Sequence, residues 1–452
     1  MTTNGHDAWQ KFTCLACGYV YDEKLGDPKN GLATGTRFVD ISNDWQCPLC
    51  GTTKSGFKAD DAHLNDHSLT AFAYHNNQRG IVIIGGGLAG WSVVDAVRAL
   101  DKQIPITLIC GDRGDRYHKP MLSVALSQGK TASDLVRTTA AQSATDNQVR
   151  LLANTFVTHI DTNTQTLQTT CGNIGYDDLV LAIGAIPAYP PTIAQDMAWH
   201  INNLEKFLAL QTHLSTGKQP KNLAIIGAGM VGIELAEDLI HAGHQVSLID
   251  VGAYPLSTLL PAIAGERILS AIKNKGIGWL GKSMVNGMVP SHTGHDITLI
   301  DLTNNNEQTL HFDEVIVATG LMVDAELPTH AGVDFNKRTG IAVHRSTLQT
   351  SVPHIYALGD CISIDGMPCR YVAPHRTQAA AIAHEILGLT HCGYEHKTPM
   401  IRLKNKSITV TANGNPTADG DWRVIKNETD ELSLELHDGG NIIAKVLLKS
   451  PQ

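Results

Sequence analysis

The sequence predicts an α/β protein: two doubly wound parallel-sheet units, a small thiol-rich unit in front of them and a small antiparallel β-rich unit behind. Three observations predict this. A strand–glycine-turn–helix pattern occurs twice, as "GIVIIGGGLAGWSVVDAV" and "NLAIIGAGMVGIELAEDL", and strands alternate with helices around both copies. Two Cys-x-x-Cys pairs stand close to the N-terminus. After about residue 396 the alternation gives way to short strands separated by turn residues such as "DGD" and "HDGG".

The bulk properties set the frame. A chain of 452 residues suggests about three domains with ample surface to bury several cores. The formal charge of −9 offers no basic stripe, which argues against nucleic acid or an anionic membrane as partner. The start "MTTNGHDAWQKFTC" lacks the basic flank and apolar run of a secretory signal, and no apolar stretch reaches the roughly 18 residues of a membrane span. A cytoplasmic protein is expected. Of nine cysteines, four form the two pairs; Cys110, Cys171, Cys361, Cys369 and Cys392 are scattered without the spacing of a disulfide framework.

The first unit, residues 1–57, holds "CLACGYVYDE" and "DWQCPLCG". Cys14, Cys17, Cys47 and Cys50 make four thiolates of the kind a tetrahedral zinc or iron ion takes. A unit this small needs such a staple, because below about 70–80 residues one apolar core rarely supplies more than 3–5 kcal/mol. Tyr19, Tyr21, Phe38 and Trp45 are the aromatic core on offer. Residues 58–79, polar and rich in His and Asn, read as a linker whose ends as a flexible coil lie about 25 Å apart. The doubly wound region then divides into 80–197, 198–320 and 321–395, the second stretch inserted in a unit made of the other two. Residues 396–452 form the β-rich end, with strands at "SITVTA", "DWRVIK", "LSLELH" and "IIAKVLL".

Each glycine turn has the parts of a pyrophosphate cradle. In Gly85, Gly87 and Gly90, and again in Gly227, Gly229 and Gly232, the first glycine permits the tight turn and the second lets a pyrophosphate approach the backbone. The third allows helix and strand to pack closely, and the helix N-terminus faces the anion. In the second copy the next strand, "HQVSLID", ends in Asp250. A carboxylate there accepts from the adenosine 2′-hydroxyl and repels a 2′-phosphate, so NADH is expected over NADPH. In the first copy "ITLIC" ends in Cys110 where an acid is usual, and Asp112 is the nearest carboxylate, either ribose-binding or a solvated loop acid. Two nucleotide turns, one nested inside the other's unit, suggest a flavin plus a nicotinamide.

Further segments resemble a known family. "LVLAIGA" (179–185), "VIVATG" (315–320) and "HIYALGDC" (354–361) look like the signature of two-dinucleotide-binding flavoprotein reductases. The resemblance implies that Gly320 and Gly359 belong to cofactor-binding turns, that Asp360 holds the FAD ribityl chain, and that the strand–Gly turns mark crossings between the FAD and NAD units. It also starts the helix after "YVAPHRTQ" near the flavin ring, its dipole favouring the reduced cofactor. Disulfide reductases of this family, and its single-cysteine oxidases and peroxidases, keep a thiol shortly after the first fingerprint. Here that region reads "DRYHKPMLSVALSQG", which argues against thiol chemistry. "YHKPMLS" is similar instead to rubredoxin reductases, which implies Lys119 beside the flavin and Glu234 on the nicotinamide side, paired with that lysine. The first unit resembles rubredoxin along nearly its whole length, with "ISND" in place of a more usual "LPDD"-like turn.

These resemblances imply an NADH:rubredoxin oxidoreductase fused to its own rubredoxin. Hydride passes from NADH to FAD, then single electrons go to one iron ion (Fe3+/Fe2+) on the four cysteines and onward to an external redox protein. The small residues Ala16, Gly18 and Gly51 would let backbone amides curl toward the sulfurs. Candidate acceptors in such systems are a membrane alkane hydroxylase, a diiron NO or O2 reductase, or peroxide and superoxide scavenging. The alternative is a zinc-ribbon docking module on a flavoprotein reductase or NADH oxidase.

Overall fold

In the computed structural model the described residues are 9–14, 20–42, 45, 54, 57–59, 79–217, 219–398 and 400–450. Among them no helix is long and apolar enough to cross a membrane.

The first unit is a three-stranded antiparallel sheet in which Lys11–Cys14 lies between Val20–Asp22 and Phe57–Ala59. The chain therefore stays in this sheet through Ala59, two residues past the expected end of the first unit at residue 57. The core is aromatic, as the sequence suggests, and larger: Tyr21 and Phe38 are buried with Ile41, and Phe12, Trp45 and Phe57 pack around them. Phe12 stacks on Phe38 at 4.1 Å, and Trp45 lies 5.2 Å from Phe57. Tyr19 lies outside the described residues.

Glu23 clamps this unit. Its buried carboxylate accepts the Gln10 N–H at 2.9 Å, the Phe38 N–H at 2.9 Å and Arg37 Nη1 at 2.7 Å. Burial works against the charge, but these donors outweigh it and hold the carboxyl below its ordinary range. A depressed folded pKa means that the stabilisation is fully present above the unfolded value, about 4.3, and is lost as pH falls through the folded value. Hydrogen exchange on the intact chain should accordingly show residues 20–42 losing protection on acidification below about pH 4. Glu23→Gln should weaken protection at neutral pH and flatten that dependence.

The second unit opens at Arg79, whose guanidinium donates to the carbonyls of Thr164 and Gln165 at 2.8 and 2.9 Å. Five parallel strands follow the order Ile355–Ala357, Asp178–Leu181, Ile81–Ile84, Ile106–Ile109, Arg150–Leu152. The Ile81–Ile84 and Ile106–Ile109 strands are buried on both faces, which is why they read as apolar runs, broken only by the buried Thr107. Helix α1, Leu88–Leu100, leaves the first glycine turn. A second parallel sheet runs Gly278–Leu280, Gln245–Ile249, Asn222–Ile226, Glu314–Val317, and helix α2, Met230–His241, leaves its glycine turn. Helix α3, His375–Ile386, begins inside the "YVAPHRTQ" segment, just after Pro374, rather than after it.

The crossings between the two units form one feature. Ile186–Pro187 on the outward passage pairs antiparallel with Leu321–Met322 on the return. Gly184 (φ +66°) and Gly320 (φ +100°) turn the chain into the two arms of this ribbon.

The C-terminal sheet is antiparallel, in the order Ile401–Leu403, Thr409–Gly414, Asn441–Lys449, Glu431–Asp438, Asp421–Asn427. Its inner face, including Val410, Leu432, Leu434, Val446 and Leu448, shares a buried core with Ile233, Leu235 and Leu239 of α2. Two elements were not anticipated: the three-stranded meander Val157–Asp161, Thr166–Thr169, Gly172–Gly175 and the antiparallel sheet Ser283–Ser291, Gly294–Asp301, Glu307–Phe312.

Candidate functional site

The two glycine turns are built alike. A Cβ on Gly85, at φ +112°, would lie 2.2 Å from the Ala182 carbonyl oxygen, and one on Gly227, at φ +104°, 2.5 Å from that of Ala318. A Cβ on Gly90 would lie 1.9 Å from the Gly85 oxygen, and one on Gly232 2.0 Å from the Gly227 oxygen. These four are glycine because backbone fills the space. The middle glycines differ: a Cβ on Gly87 or Gly229 would meet nothing within 4 Å. Each caps its helix at the N-terminus, so the open space lies in front of unpaired N–H groups and the positive end of a helix dipole. That is room for a pyrophosphate in both places, and the chain fits two dinucleotides.

The first turn opens on a cavity of about 690 Å³ lined by Gly87, Leu88, Lys119, Gly184, Asp360 and His375, among others. Lys119 Nζ lies 3.6 Å from Asp360 Oδ2. Gly359, at φ +80°, lets its turn press against α1 and α3; a Cβ there would come within 2.9 Å of Ala89 Cβ. Its N–H donates to the fully buried Gln378 of α3 at 3.1 Å. Asp95, Asp115 and Arg116 also line this cavity, and Asp112 is not among its lining residues. Asp112 accepts the Gly114 N–H at 2.9 Å, and burial raises its carboxyl pKa. Cys110, where an acid is usual, is fully buried; its sulfur would lie 2.2 Å from a Cβ on Gly86, so it serves as packing.

The second turn opens on a smaller cavity, about 320 Å³, lined by Gly227, Asp250, Met284, Asn286 and Thr319 among others. Asp250 sits at its wall, accepting the Ala228 N–H and the Gly252 N–H at 2.7 Å each. These bonds fix the carboxylate beside the glycine turn.

The expected pairing of Lys119 with Glu234 is not formed. Glu234 is buried in α2 and pairs at 2.8 Å with Lys404, in the turn between the first two strands of the C-terminal sheet, while Lys119 pairs with Asp360. Ser123 Oγ donates to Glu234 at 2.5 Å. The sequence reading missed Lys404, Ser123, Glu237 and Asp238. The available signal was the i, i+3, i+4 spacing of carboxylates in "GIELAEDL", which puts three acids on one side of a helix.

Thiol chemistry has no candidate among the described cysteines near the larger cavity. Cys361 follows Asp360 but is fully buried, and burial pushes its thiol up to about 12. Of the four proposed metal ligands, Cys14 ends the Lys11–Cys14 strand; Cys17, Cys47 and Cys50, with Ala16, Gly18 and Gly51, lie outside the described residues.

Comparison with known proteins agrees with this geometry. Residues 79–385 match the family model described as pyridine nucleotide-disulphide oxidoreductase, and residues 11–57 match rubredoxin. A relative from Escherichia coli O127:H6 (strain E2348/69 / EPEC), named nitric oxide reductase FlRd-NAD(+) reductase, is 37% identical over 309 residues, 68% of this chain and 79% of the relative. Among solved structures, the covalent putidaredoxin reductase–putidaredoxin complex superposes with a TM-score of 0.73 at 25% identity, covering 82% of this chain and 90% of that one. NADH:rubredoxin oxidoreductase from Clostridium acetobutylicum gives a TM-score of 0.67 at 21% identity, covering 82% and 91%. The chain belongs to the pyridine nucleotide-disulphide oxidoreductase family: it is an oxidoreductase flavoprotein using FAD and NAD(H), with a rubredoxin unit for one iron at its N-terminal end.

Proposed function

We propose that the chain is an NADH:rubredoxin oxidoreductase whose first electron acceptor is its own rubredoxin unit. One observation carries this reading: a rubredoxin match and two nucleotide cradles occupy the same polypeptide. NADH yields two electrons as hydride, whereas one iron takes a single electron, and bound FAD supplies the conversion between them. The protein's own groups bind and orient. Gly85, Gly87 and Gly90 shape the FAD cradle, and Asp360, Gly359 and Lys119 hold the flavin end; Asp112, turned to the Gly114 N–H of its own loop, is left out of the ribose site. Gly227, Gly229, Gly232 and Gly320 shape the NADH side, with Asp250 on the adenosine ribose. Cys14, Cys17, Cys47 and Cys50 hold the iron. The tether keeps the acceptor at an effective concentration near millimolar if it spans the sites.

For the external acceptor, the names of the Escherichia coli relatives favour a flavorubredoxin serving nitric oxide reduction over an alkane hydroxylase. The test is to purify the intact chain without oxygen and mix it with NADH. Ferric absorption should bleach after the flavin at a rate independent of protein concentration. A ferric band that persists while flavin bleaches overturns the proposal; zinc in place of iron turns it to the docking-module alternative.

Asp250→Asn keeps an acceptor for the turn N–H groups but removes the charge that repels a 2′-phosphate. Steady-state kinetics should show the NADH-over-NADPH preference in kcat/KM falling by about tenfold or more, the equivalent of roughly 1.4 kcal/mol.

A further inference from the structure

Glu234, Glu237 and Asp238 share one side of α2, and all three are buried. Glu237 is held by three consecutive residues of the turn that joins Ile401–Leu403 to Thr409–Gly414. It accepts from Asn405 Nδ2 at 2.5 Å, the Lys406 N–H at 2.8 Å, the Ser407 N–H at 2.9 Å and Ser407 Oγ at 2.5 Å. Asp238 reaches the other way, accepting the Leu126 N–H at 2.7 Å and Ser127 Oγ at 2.5 Å. Glu234 joins both sets: Ser123 Oγ, the Lys404 N–H at 2.9 Å and Lys404 Nζ at 2.8 Å all meet it. Lys404 Nζ also donates to Ser123 Oγ at 2.9 Å and to the Pro120 carbonyl. Pro120 is the neighbour of Lys119, which faces Asp360 at the larger cavity, and α2 begins at the open Gly229 cradle.

We infer that Lys404 is a positioning residue for hydride transfer, and that the 404–407 turn completes the reductase site by fixing the Lys119–Ser127 segment against the helix of the nicotinamide cradle. The inference rests on the reading that NADH reduces the flavin. The two cradles belong to different units joined by a two-stranded ribbon, yet hydride transfer requires reacting atoms about 3–3.5 Å apart. The α2 side ties the flavin-side segment and the C-terminal turn to one rigid element, and Lys404 is the cation where they meet.

The experiment uses the intact, flavin-loaded chain, mixed anaerobically with NADH in a stopped-flow instrument. Lys404→Met should slow flavin bleaching by about 10–100-fold while the NADH concentration for half-maximal rate changes little, because a misplacement near 1 Å costs about that much. The long-wavelength absorbance of nicotinamide stacked on flavin should weaken in the same variant, and Lys404→Arg should recover most of both. Ser407→Ala, which loosens the turn but leaves the Lys404 charge in place, should give a smaller loss of the same kind. Wild-type flavin that NADH cannot bleach defeats the functional reading itself. Wild-type bleaching matched by Lys404→Met overturns this inference alone. If Lys404→Met does not fold or loses flavin, Ser407→Ala decides: a slowed rate supports the inference and an unchanged one overturns it.

Discussion

Valine in place of Gly87 will give a folded chain that cannot retain FAD; valine in place of Gly229 will give a yellow chain that NADH does not reduce. Both glycines have extended backbone, φ −77° and −72° with ψ −170° and −176°, which a β-branched residue adopts readily. Both have open space where a Cβ would go, so the fold has no reason to object. The new methyl groups would stand where a pyrophosphate meets the helix N-terminus. Losing that approach should weaken binding at least about 100-fold, near 2.7 kcal/mol. Alanine at Gly90 or Gly232 should behave differently, since its Cβ would meet a backbone oxygen at 1.9 or 2.0 Å; those variants should lose yield and thermal stability together with the cofactor. Flavin-to-protein ratio, melting temperature and anaerobic NADH titration separate the two outcomes.

Cys14→Ala should abolish iron binding and electron delivery to rubredoxin-type acceptors while leaving NADH-dependent reduction of a small artificial dye within about twofold of the parent, because hydride transfer to the flavin uses no group of the first unit. Cys14 closes a strand paired on both sides, to Val20–Asp22 and to Phe57–Ala59. A three-residue buried core of Tyr21, Phe38 and Ile41 is small for independent stability once the metal is gone. Hydrogen exchange in residues 20–42 should therefore rise in this variant. Metal analysis and the visible spectrum report the first effect; a loss of dye reduction would contradict the separation of the two halves.

Much of this was legible because it depends on local rules. Glycine turns between an apolar strand and a helix, an acid ending the next strand, and paired Cys-x-x-Cys stretches all declare their chemistry within about twenty residues. The β-rich end was legible from alternation, which the burial of Leu432, Leu434 and Leu436 repeats. The Lys119–Glu234 pairing failed because it joined residues on different units by motif alone. The true partner of Glu234 lies 170 positions away in a short polar turn, as its bond to the Lys404 N–H records. Asp112 shows the same limit: nearness to a strand end does not tell whether a carboxylate faces a cavity or its own loop. Glu23 was invisible for another reason, since an acid in a charged stretch looks solvated until its three donors are assembled around it.

The paired arms at Ile186–Pro187 and Leu321–Met322 have a consequence for biosynthesis. The nicotinamide unit is an insertion, and the edge strand Ile355–Ala357 that completes the flavin unit's sheet pairs with Leu179–Leu181, translated long before it. The ribosome must finish the inserted unit before the outer one can close around its cofactor. Flavin capture thus waits until the inserted unit has been made, and nascent chains stalled within the insertion will emerge colourless.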